Sequence, residues 1–434
     1  EGLDEPDTID LLRRSEALLA YVTRVHSTST DHDKRTPAPH GIDAIVRGAT
    51  TSDGIDLPSA AQVYSEAKWA FSNPYRGSEL TLKILEPGGF LPGEWYDDDA
   101  ARSRLASIVE AARDASEVTA TQAAGLAAGC LCTTAESDDG AWLARLLSGD
   151  PDQSLAEPTV GGLLWQFGRL VATATTLGEV TDADTLADLI MFNRTLREHP
   201  QLAGMVAPQR WRGALLRKES VHGFRLIWRD INRLVDGARP VPDLVEAFAD
   251  QLPTVTVSAF MASLPRRVGD DGQPLPAERQ LGHLADLQRW LAVLMLGAQR
   301  LEDLDGHELR GFRGPQEHTR GVWEELSPGW VADLLDRYAG RSVRDLGHSL
   351  ALTLVHRSQR VALWKSRYDA RKQVLSFPAR LHVRDGIAVK VFEETAPVPA
   401  TRIPQYLSIA RQAGIFTVNA DGCFSLGPNG GRLG

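Results

Sequence analysis

Apolar residues recur at helical spacing along most of the chain, up to about residue 368. Over 8–26, Ile9, Leu11, Leu12, Leu18, Leu19, Val22 and Val25 fall mostly on one face, which predicts a first amphipathic helix. The polar stretch 27–56 holds Pro37, Pro39, Gly41, Gly48 and Gly54 and reads as loop-rich. Asp56 is placed to cap a helix with Pro58 in its first turn, running to about Phe71. A turn at 73–77, a short helix at 79–85 and a breaker cluster at 87–93 follow. Asp97, Asp98 and Asp99 suit the positive end of the next helix, which reaches about Asp114. The Ala/Gly-rich run 116–132 predicts a buried, closely packed helix, and another begins at Trp142. Longer helices are predicted at 159–178, 182–197, 209–237, 242–251, 256–264, 276–303, 328–338 and 341–368, with 306–321 a polar loop.

Beyond Lys372 the pattern changes. Val374–Val383 and Ile387–Phe392 read as strands around Arg384-Asp385-Gly386, a hairpin signal. Pro404 opens a helix that should end near Gly414. Ile415–Val418 and Cys423–Leu426 then flank a second turn. Helix followed by hairpin is the order of a recognition helix and its wing, and also of unrelated α+β pieces. Here a hairpin, not two helices, precedes residues 401–413. The expected architecture is therefore mainly α: a multi-helix body with a small C-terminal α+β, winged-helix-like, basic unit. The expected domains are 1–150, 151–340 and 341–434, with Gly149-Asp150-Pro151 at the first boundary. No fixed-period repeat supports a solenoid.

The chain has 434 residues, 43% apolar and 24% charged. That suits a globular chain with two or three cores and excludes collagen-like, low-complexity and disulfide-scaffold classes. The longest strictly apolar run, Trp290–Ala298, is too short to span a bilayer, so no membrane partner is expected. No charged and then apolar leader is visible, and three cysteines cannot pair evenly, so a reducing, cytoplasmic location is expected. The chain opens on Glu1 and not Met, so an N-terminal piece is expected to be missing. Charge is polarised within a net of -10. Residues 341–434 carry 14 Lys+Arg against 6 Asp+Glu, a balance of +8, which leaves 33 against 51, or -18, for the rest. Such asymmetry points to an anionic partner for the basic part, or to its docking on the acidic body of the same chain.

Motifs of catalysis are missing. There is no G-x-x-x-x-G-K-[ST], no G-x-S-x-G and no H-E-x-x-H, so no catalytic residue and no cofactor are expected. Cys130-x-Cys132 has a one-residue gap in an apolar context and reads as buried structural cysteine. His26, His32 and His40 are spaced by six and eight residues, unlike a standard zinc site, and His348 and His356 lie two turns apart. No metal site is expected. The acids Asp97–Asp99 and Glu302/Asp303/Asp305 read as helix-end residues, and Glu393 with Glu394 is the acidic pair nearest the basic tail.

The strongest signal is the helix at 341–368. Val343, Leu346, Leu350, Leu354, Val361 and Tyr368 form an apolar stripe, and Arg360, Trp364, Arg367 and Arg371 form an adjoining one. Arg357 falls at the border, and Lys365, Lys372, Arg380 and Arg384 add charge. Arginines interleaved with an exposed indole suit phosphate contact and base stacking. Arg357, Arg360, Trp364, Lys365, Arg367, Arg371 and Lys372 are thus the candidate nucleic-acid-binding residues. The alternative is an indole packed at the core edge with solvated arginines around it.

The segments His222–Trp228, Pro242–Pro253, Thr256–Pro265, Arg289–Leu296, Leu326–Trp330 and His356–Lys365 carry a resemblance. They resemble uncharacterised, mostly helical bacterial proteins of phage-defence or DNA-modification loci. The resemblance covers about half the chain and implies no role for any residue. The function expected is a non-enzymatic nucleic-acid-binding or scaffold subunit of a bacterial multi-protein system, in phage defence. Its partners would be nucleic acid, DNA before RNA, or protein subunits of a larger complex. The alternatives are a protein-interaction adaptor whose basic tail docks on an acidic partner, and an enzyme whose site is not visible in sequence.

Overall fold

A computed structural model describes residues 5–39, 41–66, 76–87, 91–149, 159–314, 325–370 and 373–434. The chain is mainly helical with small antiparallel sheets. It divides into two compact units, Glu1–Leu186 with Arg402–Gly434, and Ala187–Thr401. Among the described residues, no helix is long and apolar enough to cross a membrane.

The first unit starts with α1 (Glu5–His26), α2 (Ile42–Ala49), β1 (Gly54–Asp56), α3 (Leu57–Glu66), α4 (Arg76–Thr81) and α5 (Asp98–Asp114). It continues through β2 (Glu117–Thr119), α6 (Ala120–Gly125), α7 (Asp138–Ser148) and α8 (Val160–Leu177). Leu18 and Val22 of α1 are fully buried in one cluster with Ile45 of α2, Leu57 of α3 and Ile108 of α5. Asp56 caps α3 as expected, its Oδ1 accepting the Ser59 N–H at 2.8 Å. Helix α2 lies inside the stretch expected to be loop. Ile42, Ile45 and Ala49 bury one face of it, and Gly41, at φ 77, starts the helix instead of breaking it.

The run 116–132 is not one helix. Residues 117–119 pair with β1, Gly54 opposite Thr119. A side chain at Gly54 would meet the Val118 carbonyl at 2.0 Å, so the close approach needs glycine. Thr119 then caps α6 in a capping box with Gln122. Two 3-10 turns follow, Ala127–Gly129 and Leu131–Glu136, with extended backbone at Cys130 between them. Alanine content favours helix, but strand pairing at one end and two tight turns at the other win locally.

The second unit takes in most of α9 (Ala183–Phe192), then α10 (Arg194–Arg197), α11 (Val206–Arg233), β3 (Ala238–Pro240), α12 (Val241–Ala249) and α13 (Val257–Ala262). It continues with α14 (Asp286–Asp303), α15 (Gly306–Arg313), α16 (Pro328–Tyr338) and α17 (Val343–Trp364). Four short strands close it: β4 (Arg367–Asp369), β5 (Val374–Ser376), β6 (Leu381–Arg384) and β7 (Ile387–Lys390). β4 pairs with β5, and β3, β7 and β6 form an antiparallel sheet. Ile227, Leu244, Met295, Leu296, Val343 and Val355 lie in its core, all at or near zero exposure. Helix α15 takes up part of the expected 306–321 loop and buries Phe312 completely. Buried charges here are paired. Arg300 meets both oxygens of Glu278 at 2.7 Å, and Arg212 bonds to Glu308 and to the Ile190 carbonyl.

The units do not follow the boundaries expected at 150 and 340. Leu346, Leu350 and Leu354 of α17, with Leu381 and Ala388 of the hairpin, belong to the core of 187–401. Only the last stretch joins the first unit, as α18 (Ile403–Gln412), β8 (Phe416–Val418) and β9 (Phe424–Leu426). Gly414, at φ 73, ends α18 as expected, and the hairpin follows. Ile403, Leu407, Ala410, Ile415 and Phe416 are buried. Arg35 donates to the Val418 carbonyl at 2.7 Å, and Asn429 Nδ2 donates to the carbonyls of Ala135 and Ala413.

Candidate functional site

Helix α17 opens with a capping box between Ser342 and Asp345 and ends at Trp364, short of the expected residue 368. Val343, Leu346, Leu350 and Leu354 are buried as the stripe predicts. Tyr368 is not part of that stripe. The chain turns at Lys365, and Tyr368 sits on β4 opposite Leu375, 64% exposed. The periodicity continues in sequence, but hairpin pairing with 374–376 ends the helix.

The candidate residues have different fates. Arg357 and Arg360 both turn to Glu325, Arg357 Nε at 3.6 Å and Arg360 Nη2 at 2.6 Å. Burial pulls the Arg357 pKa down from its usual value, and Glu325 opposes that pull. Trp364 is 68% exposed, beside Leu363 at 69%. Lys365 and Arg367 are exposed and form no ion pair among the described residues. Arg371 and Lys372 lie outside the described residues. Further along, Arg380 pairs with Glu394 at 3.6 Å and Lys390 with Glu393 at 2.9 Å. The acidic pair nearest the basic tail thus neutralises part of it. Arg344 is held by Glu246 and Asp250.

A second constellation lies in the first unit, where the residues were expected to be unrelated. His26 ends α1, and His32 lies in the turns that follow. Cys130 and Cys132 flank the start of the second 3-10 turn. One ligand atom from each of the four lies within 4.8 Å of all the others. Cys130 Sγ is 3.6 Å from His32 Nδ1, and Cys132 Sγ is 3.4 Å from His26 Nδ1. The two imidazoles meet edge to face. Cys130 is fully buried and His32 nearly so. Burial, then the charge of His26, lowers the His32 pKa, and burial with the neighbouring Cys130 pushes the Cys132 thiol up to about 11.

This corrects the expectation that Cys130-x-Cys132 lies in a helix without further ligands. The segment is a pair of 3-10 turns, and the missing donors come from about a hundred residues earlier. His40 lies outside the described residues. The cluster has support around it. Arg104 of α5 donates to the Cys130 carbonyl at 3.0 Å and pairs with buried Asp139 at 2.7 Å. The Thr23 hydroxyl accepts the Leu131 N–H at 3.3 Å, and the Cys132 N–H points to Cys130 Sγ at 3.5 Å. Cys132 also borders a cavity of about 380 Å³ lined by Arg35, Glu136, Arg411 and Phe416.

Asp303 pairs with Arg267 at 2.7 Å, Asp97 with Arg145 at 3.1 Å, and Glu308 with Arg212. His348 stands 3.9 Å from Glu246. No family model matches the chain, and no curated protein or solved structure matches it either.

Proposed function

We propose that the protein is a non-enzymatic binding subunit whose contact surface is the end of α17 with the β4–β5 hairpin, and whose ligand is single-stranded nucleic acid. One observation carries this reading. Trp364 and Tyr368 are each about two-thirds exposed, and the cations next to them, Lys365 and Arg367, have no carboxylate partner among the described residues. Aromatic rings that accept stacked bases, flanked by cations that meet phosphates, are the working parts of a single-strand platform. Arg357 and Arg360 drop out of the contact set, because both are turned to Glu325, which offsets part of their charge. The resemblance of the C-terminal half supports a role within a bacterial defence system, acting on DNA before RNA. Three unpaired cysteines support a cytoplasmic setting. The α18–β8–β9 order supports a winged-helix-like second contact, although Arg411 is turned onto the Arg35 carbonyl.

The test is anisotropy binding of random-sequence single-stranded DNA, single-stranded RNA and duplex DNA over a salt titration. Single strands should bind more tightly than duplex. Trp364→Ala should cost about 1–3 kcal/mol on single strands. Lys365 and Arg367, the two cations named, should each contribute about 0.7 to the salt slope if each neutralises a phosphate. Absence of binding at low salt, or indifference to Trp364→Ala, would overturn the reading. A second reading is a protein partner with an acidic rim. It is favoured by Leu363, Val374 and Leu375, aliphatic side chains 69%, 55% and 61% exposed that base stacking does not call for.

A further inference from the structure

We propose that His26, His32, Cys130 and Cys132 bind one zinc ion as a closed structural site that fixes the first unit. The donor set comes first. Two thiolates and two imidazoles are the ligands of tetrahedral structural zinc, and oxygen-preferring cations would not select them. Two thiolates also balance the double charge of the ion, so a buried site ends up neutral. The geometry comes second. Zinc–sulfur bonds of about 2.3 Å and zinc–nitrogen bonds of about 2.0–2.1 Å at a tetrahedral angle place S and N about 3.5 Å apart. The two measured S···N separations are 3.6 and 3.4 Å, and all four donors fit within 4.8 Å of one another. Neither cysteine is in a disulfide.

The surroundings are those of a metal site. The Cys132 N–H faces Cys130 Sγ, and Arg104 and Thr23 hold the carbonyl and the N–H of the Cys130–Leu131 peptide. Such outer contacts set the aim of the ligands. Four protein donors complete the tetrahedron and leave no position for water or substrate, so the site is structural and not catalytic. It joins the end of α1 and the turns after it to the 3-10 segment. The same two stretches supply Arg35 and Ala135, which hold the returning segment 402–434. The ion thus stabilises the platform on which that segment docks.

The test uses the full chain, expressed in zinc-supplemented medium, desalted and analysed for metal. About one zinc per chain is expected, retained in Cys423→Ser and reduced at least tenfold in Cys130→Ser/Cys132→Ser. Misfolding of the double variant would leave that loss ambiguous, so the wild-type chain is also prepared without zinc and titrated with cobalt(II). Tetrahedral visible bands and thiolate charge transfer, saturating at one equivalent and displaced by zinc, are expected. A chain that folds with less than a tenth of an equivalent of zinc and gives only weak octahedral cobalt bands would overturn the proposal. Stoichiometric zinc that survives loss of both cysteines would do so too.

Discussion

The His–Cys pocket of the first unit and the aromatic end of α17 in the second use side chains in opposite ways. In the pocket, four polar donors turn inward on one another, away from water, with two of them in deep burial. At the end of α17, large apolar side chains turn outward, and the charges beside them are partly quenched by a carboxylate from elsewhere. An ion at the centre of the inward-facing donors would offset the cost of burying two thiolates together. Outward-facing rings call for a partner that covers them. On the readings proposed above, the first arrangement is completed by an ion as the chain folds and the second by a bound ligand. Perturbing the pocket should therefore change stability, and perturbing the α17 end should change affinity with stability intact.

The largest effect should come from deleting 370–434, which strikes both units. It removes Leu381 and Ala388 from the core of the second unit and the buried Leu407, Ile415 and Phe416 from the first unit. Calorimetry should show no cooperative transition. A sharp transition at the wild-type temperature would mean that the tail is a separate module after all. Next comes the pocket alone. Stripping the metal from the wild-type chain should lower the unfolding midpoint by on the order of 10 °C, a loss of several kcal/mol, with single-strand affinity unchanged. If affinity falls in step with stability, the two regions are not independent in the way described.

A smaller and opposite effect is expected from Glu325→Gln. It frees Arg357 and Arg360, so the salt slope on single strands should rise by up to about 1.4, at about 0.7 per phosphate. An unchanged slope would show that the two arginines do not face the strand. The smallest effect concerns Glu79 of α4, whose carboxyl burial raises to about 7. Its folded pKa lies above the unfolded value, so the folded state holds the proton more tightly. Stability is then greatest below the unfolded pKa and falls as pH rises through 7. Glu79→Gln should raise the unfolding temperature at pH 8 and leave it unchanged at pH 4. Equal shifts at both would place the cause outside titration.

Local signals were legible and distant ones were not. The stripe Val343, Leu346, Leu350, Leu354 reads directly from the sequence, because four residues on one helix share one environment. Tyr368 continues the same arithmetic but leaves the helix, because a strand partner at Leu375 competes for its backbone. Ile42, Ile45 and Ala49 carried the signal for α2, hidden by Gly41, which serves as its cap. Arg357 and Arg360 looked free because Glu325 is more than thirty residues away. Cys130 and Cys132 looked isolated for the same reason, since their imidazole partners are about a hundred residues earlier. A one-residue gap is poor for chelation from a helix, but extended backbone at Cys130 leading into a tight turn lets both sulfurs face one point.

The return of residues 402–434 to the first unit sets an order of assembly on the ribosome. Residues 187–401 form a continuous stretch that can fold as soon as it has emerged. The N-terminal stretch is made earlier but must wait for α18, β8 and β9 before its buried surface is complete. The first unit to be started is therefore the last to be finished. During that interval the faces that later receive Leu407, Ile415 and Phe416 are open to solvent, so nascent chains stalled between residues 187 and 401 are the species that chaperones would meet.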